Sequence, residues 1–195
     1  VGVSEETIPG IESFTAGLIE GLDEHFARHS YLLGGRPCLG DFALLGPLWA
    51  HLYRDPGSRC LFDQAPEVTE WMRRMLNPTD EWGGFLLHDE VPTTLDPLLK
   101  TLFDEQFSFL KDLIDAIDTY CDQHPNASRV PRSLGDHPFV IGGQKGTRKL
   151  ITFTQWMAQR PLSLYQGLSD DEREKAAPQH GASCVHWRVI WELVG

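Results

Sequence analysis

Chemistry-bearing side chains are sparse in this chain and poorly grouped. His25 and His29 stand four residues apart, close to one helical turn, a spacing at which two imidazoles can share a metal. No third ligand lies near them in sequence, so they read as part of a polar helix face and no metal site is assigned. The four cysteines, at 38, 60, 121 and 184, form no C-x-x-C pair, which suits reduced thiols rather than a disulfide framework. Cys38 falls at a helix start, where the dipole can lower a thiol pKa and expose a nucleophile; the alternative, which the flanking residues favour, is a cap residue facing the core. Gly142-Gly143-Gln144-Lys145-Gly146-Thr147 has the residue types of a phosphate loop without its spacing, and a turn is expected. G-x-S-x-G, H-E-x-x-H and the dinucleotide fingerprint are absent. Asp41 invites an acid role but sits where a helix needs a cap. No catalytic residue is therefore assigned. Of the aromatic residues, Phe14, Trp49 and Tyr53 are assigned to a hydrophobic pocket, and core packing takes most of the others.

Composition narrows the partners. A formal net charge of −11 argues against nucleic acid and anionic membrane surfaces, which need a basic face. It also suits a cytoplasmic protein kept dispersed by self-repulsion. The chain is 41% hydrophobic and 23% charged over 195 residues, enough for one substantial core or two small ones. No apolar run approaches the roughly 18 residues of a membrane span.

The elements that must position these residues are helical. Ile8, Ile11, Phe14, Leu18, Leu22 and Phe26 make an apolar stripe on a helix from Ser4 to about His29, whose acidic opposite face (Glu12, Glu20, Asp23, Glu24) should be solvated. After Gly34-Gly35 and Pro37, a second helix opens with Cys38 as N-cap and Asp41 at the third position. From there a carboxylate reaches back to the N-cap amide, and Pro37 and Phe42 occupy the positions of a hydrophobic staple. Phe42, Leu45, Trp49, Leu52 and Tyr53 then repeat at helical spacing, with a bend expected at Gly46-Pro47. Pro66 opens a third helix that buries Val68, Trp71, Met72 and Met75 and stops at Asn77-Pro78. The longest periodic run, Leu95 to about Asp122, predicts a long helix flanked on two sides. His124 to His137 reads as a loop. Phe139–Ile141 and 147–153 read as a small hairpin or as a loop leading into a helix. A helix from Thr154 to about Gly167 should turn Trp156, Met157, Leu164 and Tyr165 inward. Ser169-Asp170-Asp171-Glu172 is a capping box that opens a short charged helix. The apolar tail, Cys184 to Val194, fits a buried strand or a docking helix equally well.

The run Leu33-Gly34-Gly35-Arg36-Pro37-Cys38-Leu39-Gly40-Asp41-Phe42-Ala43-Leu44, followed by His51-Leu52-Tyr53-Arg54-Asp55-Pro56, resembles the central helix of the C-terminal, all-helical domain of glutathione transferases. That family has Ser or Thr at the cap where this chain has Cys38, and a thiol is the weaker acceptor. The resemblance spans roughly residues 5 to 76 and fades beyond about residue 90. It implies an all-α bundle, with residues 1–90 as the core and 91–195 as a helical extension packed on it. It also implies a partner thioredoxin-like domain, which is not found in these residues. Glutathione would be the co-substrate of the full-length protein, held and activated mostly by that other half. The helical domain would shape the site of a small hydrophobic electrophile and contribute to a homodimer interface, and it would be inactive alone. The alternative is a non-catalytic binding or scaffold module on the same bundle.

Overall fold

The computed structural model describes residues 2–78 and 81–176. In chain order the elements are helices α1 (Ile8–Phe26), α2 (Leu39–Leu45), a π-helical segment (Gly46–Tyr53), α3 (Pro66–Leu76) and α4 (Asp96–Gln123), strands β1 (Ser133–Ile141) and β2 (Gln144–Ile151), and helices α5 (Phe153–Gln166) and α6 (Asp170–Ala176). The fold is mainly helical with one two-stranded antiparallel hairpin. The chain divides into two compact units, Ser13–Leu98 and Val1–Glu12 with Leu99–Gly195.

In the unit Ser13–Leu98 the core gathers Ile19, Leu22 and Phe26 of α1, Leu48 of the π-helical segment, and Val68, Trp71, Met72 and Met75 of α3. The α3 residues are those the sequence pattern selects. Pro47 does not break the second helix. It has no N–H to give, and the backbone responds by widening into π turns, so that Arg54 N–H reaches back five residues to the Trp49 carbonyl at 3.2 Å. The buried side of this helix differs from the one expected. Asp41 and Leu48 are sealed, whereas Phe42 is 58% exposed. The helix is rotated so that a carboxylate, with three N–H donors waiting for it, takes the inward position. Asp23 also departs from expectation. It is not simply a solvated acid, because its Oδ1 accepts the Glu67 and Val68 amides at 2.7 and 3.0 Å and so closes the N-terminus of α3 from another helix.

Two double glycines clasp in this unit. Gly35 N–H donates to the Gly84 carbonyl (2.8 Å), Gly83 N–H to the Gly35 carbonyl (3.0 Å) and Leu86 N–H to the Leu33 carbonyl (3.0 Å). Gly34 has φ +120°, and a β-carbon there would lie 3.0 Å from the Gly84 oxygen. The turn is therefore a backbone-to-backbone junction rather than a flexible link.

In the other unit β1 and β2 pair through a Gly142-Gly143 turn with both φ angles positive (53° and 79°), the requirement of a tight primed hairpin turn. The hairpin is longer than expected. Its first strand begins at Ser133, inside the stretch read as loop, because a register shift between Ser133 and Asp136 accommodates Gly135 at φ 117°. Leu150 packs with Phe109 and Leu113 of α4. His137, 3% exposed, donates from Nδ1 to Asp112 at 2.7 Å, and the Arg148 guanidinium lies 4.2 Å over the Phe109 ring. α1 starts at Ile8 rather than Ser4 because Thr7 closes a turn first: its hydroxyl accepts Ser4 N–H at 2.8 Å. Gly10 then meets the hairpin turn without a side chain between them. The Ser169 box opens α6, Ser169 N–H donating to Glu172 Oε2 at 2.8 Å. The α5 residues expected inward are not buried. Trp156, Met157 and Leu164 are 56%, 50% and 73% exposed, and the buried cluster under the hairpin is made by Leu150 with Phe109 and Leu113 of α4. The tail from Cys184 lies outside the described residues.

Candidate functional site

The best-determined polar group in the unit Ser13–Leu98 is Asp41, with no exposed surface. Oδ2 accepts the Cys38 amide at 2.8 Å, closing the N-cap of α2. Oδ1 accepts the Leu32 amide at 3.1 Å and the Trp71 indole N–H at 2.9 Å. One carboxylate thus joins the incoming turn, the α2 start and α3; its bonds to Leu32 and Trp71 are buried and that to Cys38 is part-buried. The returning contact, the Asp41 amide onto the Cys38 sulfur, is only the weak one a thiol can make. Burial pushes the Cys38 thiol pKa up, against the lowering that a helix N-terminus alone would give. Cys38 is half-buried and poorly set to act as a nucleophile. Pro37 is also half-buried, but the apolar cover over the helix entry comes from Leu32, whose side chain lies over Gly40, rather than from the exposed Phe42.

Trp71 has no exposed surface and stacks on Phe26 at 4.8 Å and 10°. Beside Phe26, His25 is fully buried, so it does not belong to a solvated helix face. Its Nε2 lies 3.4 Å from the Tyr31 carbonyl, which can only accept, so Nε2 carries the proton. Nδ1 then accepts from the Thr94 hydroxyl at 2.7 Å. Burial is the main reason its pKa falls from 6.5 to about 4. His29 stacks on this ring at 4.9 Å, and among the described residues no group of three His, Cys, Asp or Glu is placed to hold a metal.

The aromatic residues assigned to a pocket are only partly brought together. Trp49 and Tyr53 stack at 5.1 Å on the π-helical segment, both half-buried. Tyr53 lines a shallow cleft of about 320 Å³ with Arg59, Phe62, Asp63, Pro66, Thr69 and Glu70, and Phe14 is not among these residues. The Arg59 guanidinium sits 4.5 Å over the Tyr53 ring and donates to its hydroxyl at 3.1 Å. Sequence reasoning missed Arg59 and Phe62, because the turn at 59–62 carries no periodic signal. It also missed that Trp71, thirty positions on, is a partner of Asp41.

Residues 15–78 match the model of the glutathione S-transferase C-terminal domain. The match covers 64 of the 195 residues and supports a domain of that type there. The matched stretch carries α2, Asp41, Trp71, Asp23 and the Trp49–Tyr53 stack, so it coincides with the Asp41-centred core. No curated protein and no solved structure matches the chain. No helix of the described residues is long and apolar enough to cross a membrane.

A larger concavity lies in the other unit. The facing sides of α4 and α5 border about 410 Å³ lined mostly by apolar side chains, with Gln106, Thr154 and Tyr165 as the residues that carry an amide or a hydroxyl.

Proposed function

We propose that this transferase domain shapes the site of a small hydrophobic electrophile in a glutathione transferase-like protein and does not itself bind or activate glutathione. The family match over residues 15–78 carries the reading. Two features of the site support it. The thiol at the α2 start has a raised pKa, the wrong direction for nucleophilic use, and the Asp41 carboxylate is spent on three N–H groups. The half-buried Trp49–Tyr53 stack, with the Arg59 guanidinium over the Tyr53 ring, offers an aromatic wall to an electron-poor ring. Thiol activation would come from a thioredoxin-like partner domain, and α1 would contribute to a homodimer interface.

Tryptophan fluorescence tests the electrophile arm. Titration with 1-chloro-2,4-dinitrobenzene should quench emission saturably in the native chain. Replacing Tyr53→Ala should weaken the apparent affinity by about tenfold, the loss of one aromatic stack. Equal quenching in both would refute the assignment. If the longest polypeptide encoded around these residues ignores both electrophile and glutathione, the domain is a non-catalytic scaffold.

A further inference from the structure

The hairpin and the loop before it are basic in an acidic chain. Residues 124–151 hold Arg129, Arg132, Lys145, Arg148 and Lys149 against the single acid Asp136, whereas the whole chain has 17 Lys and Arg against 28 Asp and Glu. The two edges of the hairpin also differ. The two-residue turn makes Ile141 and Gln144 the first hydrogen-bonded pair, and the pair types alternate from there. Lys145, Thr147 and Lys149 therefore fall at positions whose N–H and C=O groups point away from β1. The corresponding edge of β1 is interrupted by Pro138, opposite Thr147, which has no N–H to offer. Among the described residues β2 has no neighbour on its other side. Lys145, Thr147 and Lys149 are all exposed, while Leu150 on the opposite face is buried.

We propose that the outer edge of β2 takes an extended acidic peptide as a third, antiparallel strand. Main-chain bonds to Lys145, Thr147 and Lys149 supply the affinity, and alternate side chains of the peptide supply the specificity. Acids four positions apart on the added strand lie opposite Lys145 and Lys149, with the residue midway between them opposite Thr147. Lys149 already holds Asp136 across the hairpin at 2.7 Å, so an acid on its other side extends a row of alternating charge. Charge also selects against the other occupants. Two β2 edges paired antiparallel about Thr147 would set Lys145 of one copy against Lys149 of the next, and like charges directly opposite destabilise a ladder. Nucleic acid has no amides to continue the ladder, and the net charge of −11 repels it.

Fluorescence anisotropy tests this on the full chain, with a fluorescein-labelled nine-residue peptide of alternating glutamate and valine as the probe. The native chain should bind it saturably below about 1 mM. Thr147→Pro removes one outward N–H and no charge, at a position where an edge strand tolerates proline. Lys145→Glu reverses one charge and leaves the backbone intact. Each should weaken binding by about tenfold, the worth of one strand hydrogen bond or one facing charge pair. The same peptide N-methylated at its glutamates keeps its charge and should not bind the native chain. No saturable binding by the native chain would overturn the proposal. So would equal binding of the N-methylated peptide, which would reduce the edge to a charged surface without strand addition. Displacement of the peptide by an equimolar oligonucleotide would overturn it in favour of nucleic acid. A dimer in sedimentation that Thr147→Pro dissolves would overturn it by making a second copy the occupant.

Discussion

Asp41 is the residue whose loss the fold should tolerate least. Replacing it with alanine leaves the amides of Leu32 and Cys38 and the indole N–H of Trp71 without an acceptor. Each bond to a charged acceptor contributes about 1.5–3 kcal/mol, and the three do not add fully, so Asp41→Ala should cost about 4–6 kcal/mol. That approaches the whole stability of an ordinary domain. Asp41→Asn keeps the shape but must place an NH₂ group somewhere. Turned toward Cys38 it opposes one donor, and turned the other way it opposes two. The first orientation should therefore win, at a cost of about 2–3 kcal/mol. Trp71→Phe removes a donor rather than the acceptor and should be milder than either. Urea unfolding followed by circular dichroism ranks the three, and amide exchange localises the effect, with the Cys38 amide accelerating more than the Leu32 amide in Asp41→Asn. An Asn variant within about 0.5 kcal/mol of native, or a Trp71→Phe costlier than Asp41→Ala, would refute the reasoning.

Further outcomes follow from single sites. Cys38→Ser should raise stability by about 0.5–1 kcal/mol, since a hydroxyl accepts the Asp41 amide better than sulfur does; an unchanged or lowered urea midpoint would count against this. Gly10 and Gly17 lie in one helix but should respond oppositely to alanine. At Gly17 nothing lies within 4 Å of the new carbon and helix propensity should add about 0.5–1 kcal/mol, whereas at Gly10 the new carbon would fall 2.1 Å from the Ile141 oxygen and should cost about 1–3 kcal/mol. Melting temperatures of the pair decide it. His25 stays neutral in the fold down to about pH 4, whereas the unfolded chain takes up that proton near pH 6.5. Stability is therefore full above about pH 6.5 and falls as the pH drops toward 4. The ring is sealed but shallow, so we discount the loss for solvent screening to about 1–2 kcal/mol. His25→Gln should flatten that part of the pH–stability profile.

Local chemistry was readable in the sequence, and long-range chemistry was not. The Asp41 cap position, the π-helical region as helix, α3 with its buried face, α4 and the Ser169 box all rest on residues within one or two turns of each other, where propensity and capping act. The errors share a cause. Phe42 and Asp41 exchange inside and outside because a buried carboxylate needed donors from Leu32 and Trp71, which periodicity cannot see. Asp23 and His25 look like surface residues until the α3 N-terminus and Thr94 come to meet them. The apolar stripe of α5 implies burial, yet none of its residues is buried. The Tyr53 cleft depends on Arg59 and Phe62, which a non-periodic turn delivers.

The central claim is that these residues shape an apolar site and leave glutathione to another domain. Titration calorimetry with reduced glutathione tests it most directly. The account predicts no saturable heat with residues 1–195 up to millimolar ligand, and saturable binding by a longer form carrying the thioredoxin-like partner. Saturable binding by residues 1–195 alone, abolished by Cys38→Ala, would contradict it.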